Sequence, residues 1–406
     1  MSTSNLWNAY RATDPYPGGL GADPTGVRDS GPAIAYWLAQ AGANGGGIVE
    51  LAPGDNYRTR RSLVVPAGVN LIGGGKGNTR LLADDSAGNL GSILSCTAAR
   101  NASVRELYLS ALSPRTAGNA VTVSGGDPSD NLTDNLNGSE FVLQNVDMDS
   151  QFNGYVVNDA PGSNGCWKAY AEYGSWKNFS SGGIGCWVNS PNGASHFIEK
   201  IFFYGPQTAN TTAIRIQATG DCTLTANETW GFQHGLLIDP SVTGTVVEAV
   251  TVIGGFYDQS TNEALKIAPA ALPQQASLLR FSGVWFATGG FGGTGNSATV
   301  VGSSANLIQF NGCSFYHATG WGLQVSAAQG VSVVGCIGSL NTLGDINFTG
   351  GAIKNLANSN QLFSTSVPGV QFDGGTSENT AVGNAGKNSC ITDLSGGVTK
   401  TIGLNQ

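Results

Sequence analysis

Apolar and polar residues alternate in a short motif that recurs along the chain. The clearest copy reads LRFSGVWF, from Leu279 to Phe286, and it returns as IQFNGCSF from Ile308 and as VSVVGCIG from Val331. The first and third places of each copy are apolar, and the fifth is Gly. This alternation predicts an extended strand whose first and third side chains face inward. Recurrence after 29 and then 23 residues predicts a solenoid of stacked rungs.

Looser copies of this eight-residue motif, which we call the octet, occur earlier in the chain. They begin at Ala102, Phe141, His196 and Val250, with two degenerate copies at Ala169 and Cys222. A second strand pattern, a small residue followed by three mostly apolar ones, alternates with the octets. Its copies begin at Ala120, Gly154, Gly185, Ala213, Gly235, Ala264, Ala298 and Gly322. Together the two patterns predict eight or more coils, each one rung plus a loop of variable length.

One amphipathic helix is predicted before the first strands. Asp29 and Ser30 precede Pro32, and apolar residues follow at helical spacing, before three consecutive glycines end the pattern at residues 45–47. The opening segments GADPTGVRDSGPAI (Gly21 to Ile34), GGGIVELAPGDNY (Gly45 to Tyr57) and LVVPAGVNLIGGG (Leu63 to Gly75) then follow one another. This opening resembles the pectate-lyase-like superfamily, which includes many bacteriophage tail spikes and polysaccharide depolymerases.

The resemblance implies an all-β fold, a single-stranded right-handed parallel β-helix whose short N-terminal helix caps the open end of the solenoid. A cap is also expected physically, because an uncovered end exposes strand edges and core. We expect an N-terminal attachment segment at 1–20, the capping-helix region at 21–47 and the β-helix at 48–362. The Gly-, Ser-, Thr- and Asn-rich residues 363–406 are expected to form a C-terminal cap or a subunit-contact tail.

Composition narrows the classes of partner. Charged residues make up only 11% of the chain and the formal net charge is −8, without a basic run, which argues against nucleic acid. The chain has no stretch of about 18 apolar residues, so membrane insertion is not predicted. The N-terminus lacks a secretory-signal pattern. Seven cysteines without regular spacing predict reduced thiols, with Cys313 and Cys336 stacked inside the solenoid rather than reactive. The three histidines are scattered along the sequence, so no metal site is predicted. No motif predicts a cofactor.

The octet register identifies outward positions where chemistry could reside. If a turn at the fifth place shifts the phase, the fourth, seventh and ninth places face out. Carboxylates at these places are candidate catalytic groups, because glycoside cleavage uses two carboxyls about 5 to 9.5 Å apart. The candidates are Asp147, Asp149 and Glu172 on neighbouring rungs, and Glu228 with Asp258. Ordinary solvated acids, with Asp149 paired to Lys177, are the competing interpretation.

Aromatic residues are concentrated near the same rungs and could contact the apolar faces of sugar rings. The candidate substrate-binding residues are Trp167, Tyr170, Tyr173, Trp176, Trp187, Tyr204 and Trp230. Packing between loops, or burial at a subunit contact, is the alternative for each of them.

Three functions remain open at this point. The first is a phage or prophage tail spike, a virion component made in the host cytoplasm, that recognises a bacterial surface polysaccharide and cleaves it by carboxylate acid/base chemistry. The resemblance implies that such a chain is a homotrimer, and residues 1–20 could bind another tail or baseplate protein. The second is a non-catalytic adhesive or structural tail component of the same fold. The third is a bacterial polysaccharide lyase or hydrolase.

Overall fold

The computed structural model describes residues 8–97, 100–125, 140–159, 165–208, 210–241, 245–365, 367–386, 391–396 and 401–402. The chain divides into two compact units, residues 1–202 and 203–406, and the boundary falls within the strand His196–Tyr204. Nearly every element in both units is a short strand.

The first unit contains the α-helix Gly31–Ala43 and the 3-10 helix Asp85–Ala87. Its octet-type strands are Ala9–Arg11, Thr25–Asp29, Gly47–Glu50, Asp55–Thr59, Val69–Ile72, Thr79–Ala83, Ala102–Ala111, Phe141–Asp149, Ala169–Lys177 and His196–Tyr204. The strands of the second pattern are Leu63–Val64, Ser92–Thr97, Asn119–Ser124, Asn153–Asn158 and Ile184–Asn189.

In the second unit most octets form two short strands. These are Cys222–Thr225, Glu228–Trp230, Val250–Ile253, Phe256–Asp258, Arg280–Ser282, Trp285–Ala287, Gln309–Asn311, Ser314–Tyr316, Ser332–Val334, Ile337–Ser339, Leu356–Asn358, Gln361–Leu362, Thr380–Val382, Ala385–Gly386 and Thr401–Ile402. The second pattern forms Thr212–Ala218, His234–Ile238, Glu263–Ile267, Ala298–Val301, Trp321–Ser326, Gly344–Thr349, Val370–Phe372 and Ile391–Asp393. A third, small sheet contains Val246–Glu248, Gln275–Ser277 and Ala305–Asn306.

Strands of equivalent rungs pair in parallel and in the predicted register. In the first unit Phe141 pairs with Ala102 on one side and with Ala169 on the other, so the degenerate octet at Ala169 is correctly aligned. In the second unit the degenerate octet at Cys222 pairs with that at Val250. These pairings confirm the prediction of a parallel β-helix, because equivalent strands of successive coils lie side by side in the same sheet.

The fifth place of the octet is a corner in the left-handed backbone region. It is a non-glycine residue in the early octets, such as Asn145 with φ 53° and Lys200 with φ 53°, and Gly in the regular copies, such as Gly283 with φ 62°. Only glycine adopts this region without steric cost, which explains the Gly of the best copies. After the corner the alternation restarts: the first, third, sixth and eighth side chains of the Phe141 octet are buried and the others are not.

The helix forms where the sequence predicts it. Pro32 lies in its first turn, and Ile34 and Leu38 are fully buried on the face that contacts the neighbouring strands of the first unit. Ser30 occupies the N-cap position but makes no side-chain cap hydrogen bond. Its hydroxyl instead accepts a hydrogen bond from Asp23 N at 2.9 Å, which ties the preceding loop to the start of the helix.

Coils continue beyond residue 362, where the apolar pattern is no longer visible in the sequence. The rungs at 355–362 and 379–386 place asparagine at the first and sixth octet places, and all four side chains are 1% exposed. Asn360 accepts a hydrogen bond from Cys336 N at 2.9 Å and donates to Val333 O at 3.0 Å and to Asn384 Oδ1 at 2.9 Å. Satisfied amides therefore replace apolar side chains in this part of the core. What residues 363–406 bind or cover stays a prediction.

The cysteine thiols are part of the same interior. All six cysteines in the described residues are buried; Cys390 lies outside them. Cys336 Sγ accepts a hydrogen bond from Cys313 N at 3.3 Å, so the two residues stack on adjacent rungs as predicted.

We predict that Asn360→Ala destabilises the protein by roughly 2 to 4 kcal/mol. The buried Cys336 N–H and the buried Val333 carbonyl would each lose their hydrogen bond to the Asn360 side chain. Chemical denaturation measures the change. Asn311→Ala is the matched control, since that side chain is exposed and makes no hydrogen bond within the described residues. Equal stability of the two variants would show that the amide ladder contributes nothing.

A second prediction concerns His196, which is 1% exposed and has no hydrogen-bond partner on either ring nitrogen. Burial lowers its pKa from 6.5 to about 4. The unfolded chain therefore binds a proton that the folded chain excludes, so stability falls as pH drops from 6.5 towards 4. The loss is roughly 3 kcal/mol at about 1.4 kcal/mol per pH unit.

His196→Leu should remove this part of the pH dependence, whereas substitution of the exposed His317 by Leu should leave it intact. Denaturation midpoints across this pH range make the comparison. If the denaturation midpoints of wild type and His196→Leu changed with pH in the same way, the result would contradict a neutral buried imidazole.

Candidate functional site

Asp147 faces outward at the seventh octet place, as predicted, but it is not free. Lys76 Nζ lies 3.2 Å from its Oδ1, and the same oxygen accepts a hydrogen bond from Ser175 N at 2.8 Å. One partner comes from an earlier coil and the other from the next rung. The carboxylate therefore links three segments of the first unit.

Asp149, at the ninth place, is held still more firmly. Its Oδ2 accepts a hydrogen bond from Tyr108 OH at 2.7 Å, and Oδ1 accepts from Asn178 Nδ2 at 2.8 Å and from Ser150 Oγ at 3.0 Å. Burial raises the pKa of Asp149, but these hydrogen bonds and the nearby Lys177 charge outweigh it, so the net shift is downward. Asp149 is thus held as a carboxylate, which does not suit a general acid.

Glu172 lies on the strand segment before the corner, whereas Asp147 and Asp149 lie after it. Its Oε1 accepts a hydrogen bond from Gln144 Nε2 at 2.7 Å, from the register-paired residue of the preceding rung. Together with Glu199 it borders a depression of about 180 Å³. The three acids therefore do not form one group around a common bond.

Two of the predicted aromatic contacts lie beside this depression. Tyr170 stacks on Phe197 with ring centroids 5.1 Å apart and planes 8° from parallel. Tyr173 is 44% exposed at the corner, but Lys200 Nζ lies 4.9 Å from its ring centroid and donates a hydrogen bond to its hydroxyl at 3.1 Å. Tyr170 and Phe197 form a ring surface, while one face of Tyr173 is occupied by an ammonium group.

The second unit brings together carboxylates and aromatic rings on one outward surface. Glu228 pairs in register with Phe256, and Trp230 pairs with Asp258 on the same two strands. Tyr204 stacks on Trp230 with centroids 4.4 Å apart and an interplanar angle of 17°. We call these five residues the aromatic–carboxylate patch.

Within the patch the two acids lie on one diagonal and two aromatic rings on the other. Adjacent strands are about 4.8 Å apart and the rise is about 3.3 Å per residue, so the backbones of Glu228 and Asp258 are about 8 Å apart. Glu228 is exposed and makes no ion pair or hydrogen bond within the described residues. Asp258 accepts a hydrogen bond from Gln259 N at 2.6 Å. Both carboxylates keep oxygens available to a ligand.

The remaining predicted aromatic contacts lie elsewhere. Trp176 is fully buried and donates its indole N–H to Val146 O at 2.9 Å, so a sugar cannot reach it. This prediction is corrected: the eighth octet place faces inward, and the octet register itself implies the burial. Trp167 is 37% exposed in a loop, and Trp187 is half-buried on a strand of the second pattern.

Among the described residues, no group of three or more His, Cys, Asp or Glu side chains is arranged to hold a metal ion. Within the same residues, no helix has the length and apolar character needed to cross a membrane.

Comparison with known proteins identifies the fold. No family model matches the chain, and no curated protein matches it. Among solved structures, the A-module of the mannuronan C-5 epimerase AlgE6 from Azotobacter vinelandii is similar at 17% identity and a TM-score of 0.68, covering 98% of this chain and 99% of that one. The N-terminal fragment of bacteriophage phi29 gene product 12 gives 13% identity and a TM-score of 0.69, covering 95% of this chain and 69% of that one.

A tailspike protein of the E. coli bacteriophage HK620, solved in complex with a hexasaccharide, is similar at 9% identity and a TM-score of 0.60. The match covers 97% of this chain and 78% of that one. The chain folds as a right-handed parallel β-helix. The resemblance to pectate-lyase-like proteins is therefore confirmed for the fold.

Two aromatic residues of the β-helix were not among the sequence candidates. Phe197 occupies the second octet place beside Tyr170, and Phe256 occupies the seventh place beside Glu228, where it is 54% exposed. Reading the second and seventh columns of aligned octets for exposed rings would have found both.

Proposed function

We propose that the protein binds a polysaccharide across the aromatic–carboxylate patch and cleaves a glycosidic bond there with Glu228 and Asp258. The observation that carries the proposal is the pairing of two accessible carboxylates with a stacked, exposed aromatic surface on adjacent rungs. None of the other predicted acids combines both features.

The aromatic rings provide the binding surface. Phe256 is 54% exposed and Tyr204 is 41% exposed, and both lie on the outward face of rigid strands. Flat rings of this kind stack against the C–H faces of sugars, while Glu228 and Asp258 accept hydrogen bonds from sugar hydroxyls. The strand ladder holds these groups in place before the ligand arrives, which limits the entropy lost on binding.

The separation of the carboxylates favours one type of displacement. With backbones about 8 Å apart, the two carboxyl groups can lie about 6.5 to 9.5 Å from each other, which leaves room for a water molecule between the second carboxylate and the sugar. Asp258, oriented by the Gln259 N–H, would activate this water, and Glu228 would protonate the leaving oxygen. The product anomer is then inverted.

Binding without cleavage is the second candidate function. The patch is an open surface, and neither acid lies in a water-excluded cleft of the kind that strengthens catalytic electrostatics. This feature favours an adhesive protein that recognises a surface glycan. A lyase would instead leave an unsaturated sugar, so the products distinguish the enzymatic alternatives.

Likeness in fold to phi29 gene product 12 and to the HK620 tailspike supports the further proposal that the protein is a component of a virion tail. In that setting the ligand would be a bacterial surface polysaccharide, and the chain would assemble as a homotrimer, with residues 1–20 contacting another tail or baseplate protein. Light scattering of the purified protein tests the trimer directly.

We predict that Glu228→Gln and Asp258→Asn each reduce cleavage at least about a hundredfold, because each removes one partner of the acid–base pair. Release of reducing ends from a panel of capsular and exopolysaccharides measures the activity. NMR of the first product should show an inverted anomer.

Glu248→Gln is the control, since Glu248 is an exposed glutamate of the same unit outside the patch. Loss of activity in Asp147→Asn with full activity in Glu228→Gln would move the site to the first unit. Binding without any cleavage by wild type would leave the adhesive function.

We further predict that Trp230→Ala weakens glycan binding about tenfold or more, because it removes the ring on which Tyr204 stacks and which adjoins Asp258. Isothermal titration calorimetry with a glycan fragment measures Kd. Phe291→Ala, which truncates a ring that is 41% exposed elsewhere in the unit, should bind like wild type. Equal losses for the two variants would argue against the patch as the binding surface.

A further inference from the structure

His234 and Glu263 form a carboxylate–imidazole pair on a different sheet from the patch. They begin adjacent strands of the second pattern and are partners in the strand register. His234 Nδ1 lies 3.0 Å from Glu263 Oε2. Both atoms are buried, and neither makes a hydrogen bond of regular geometry, so the contact between them is an ion pair.

The other ring nitrogen of His234 is available. Nε2 is not buried and makes no hydrogen bond within the described residues, although the residue as a whole is only 8% exposed. A carboxylate 3.0 Å from Nδ1 favours the proton on that nitrogen and leaves Nε2 as the basic nitrogen, the arrangement used for general-base catalysis by histidine.

The surrounding charges keep the glutamate anionic. Burial raises the pKa of Glu263, but the contacts with His234 and Lys266 outweigh it, so the net shift is downward. Lys266 Nζ lies 3.6 Å from Glu263 Oε1. Asp239 is engaged separately in a two-point ion pair with Arg215, through hydrogen bonds of 2.9 and 2.6 Å. Neither acid is free to act as the second carboxyl of a glycosidase.

An uncharged polar row continues from Lys266 along the same sheet, in which Thr299 is buried and Gln324 is partly exposed. Lys266 pairs in register with Thr299, and Thr299 pairs with Gln324. Asn296 Nδ2 donates hydrogen bonds of 3.0 Å to both Thr299 Oγ1 and Gln324 Oε1, which holds their side chains in place. Hydroxyl and amide groups of this kind form hydrogen bonds with sugar hydroxyls.

We propose that His234, Glu263 and Lys266 form a second catalytic centre that hydrolyses an acyl ester carried on a sugar hydroxyl. The choice of a glycan ester rests on the polysaccharide ligand of the proposed function, but the reaction and the residues are separate. A histidine base whose neighbouring carboxylate is already in an ion pair suits acyl transfer to water. Glycoside cleavage instead needs two available carboxyls.

In the reaction His234 Nε2 takes a proton from water while the water oxygen bonds to the acyl carbon. The tetrahedral intermediate then breaks its bond to the sugar oxygen, which takes the proton back from Nε2. One water is consumed, and a carboxylic acid and a free sugar hydroxyl are produced. Glu263 is the positioning residue that stabilises the imidazolium, and Lys266 holds Glu263 in place.

The test measures acetate released from an acetylated polysaccharide, and hydrolysis of p-nitrophenyl acetate, by the full-length chain. His234→Gln should lower kcat/KM at least about a hundredfold. In Glu263→Gln kcat should fall while KM stays close to that of wild type, because Glu263 acts only through the His234 imidazole. The other charges around it, Lys266 and the Arg215–Asp239 pair, are unchanged in that variant.

Two controls separate this centre from its alternatives. His317→Gln removes an exposed histidine of the same unit and should keep full esterase activity; equal losses in both histidine variants would overturn the proposal. Acetate release by wild type without any release of reducing ends would leave this proposal intact while the glycosidase proposal fails. No acetate release by wild type, or an unchanged kcat in Glu263→Gln, would each overturn it.

Discussion

The left-handed corner at the fifth octet place is the constraint on which the rest of the β-helix depends. It turns the chain and restarts the inward–outward alternation, so it determines which side chains enter the core and which face solvent. A non-glycine residue in this region carries a steric cost of roughly 1 to 2 kcal/mol. The early octets nevertheless place residues such as Asn145, Tyr173 and Lys200 there. Stacking of the flanking strands on neighbouring rungs must offset that cost.

Because the corner is a property of the backbone, the sequence was a good guide to the fold. Apolar residues at the first and third places align even the degenerate octets at Ala169 and Cys222, whose fifth places are Tyr173 and Ala226 rather than Gly. The pattern failed where the core changed its chemistry. From residue 355 onward the first and sixth octet places are asparagines, and a search for apolar periodicity does not recognise an amide ladder as core.

The candidate site was less predictable, because the register shows which side chains face outward but not which partners they meet. Asp147 was correctly placed on the surface, but its ion pair with Lys76 depends on a loop two coils earlier in the chain. Trp176 could have been assigned to the core from its place in the octet, yet the local density of aromatic residues suggested a binding surface. His234 and Glu263 immediately precede successive copies of a pattern that was read only for its apolar residues.

The repeat also provides an internal comparison of the two acid pairs. Asp147 and Glu228 both occupy the seventh place, and Asp149 and Asp258 both occupy the ninth, although the first pair shares one strand and the second pair lies on adjacent rungs. The two pairs also differ in the side chains that surround them. Tyr108, Lys76 and Asn178 occupy the first pair and convert it into a link between rungs.

In the second pair the neighbours in the column are Phe256 and Trp230, which pack beside the carboxylates without donating to them. A ring next to an acid leaves the acid's hydrogen-bonding capacity to solvent or ligand, whereas a donor consumes it. On a scaffold of equivalent positions, the availability of an acid is therefore decided by the residue one rung away. When successive octets are aligned, an acid with an aromatic residue at the same place of the adjacent rung is a better indicator of a glycan site than the acid alone.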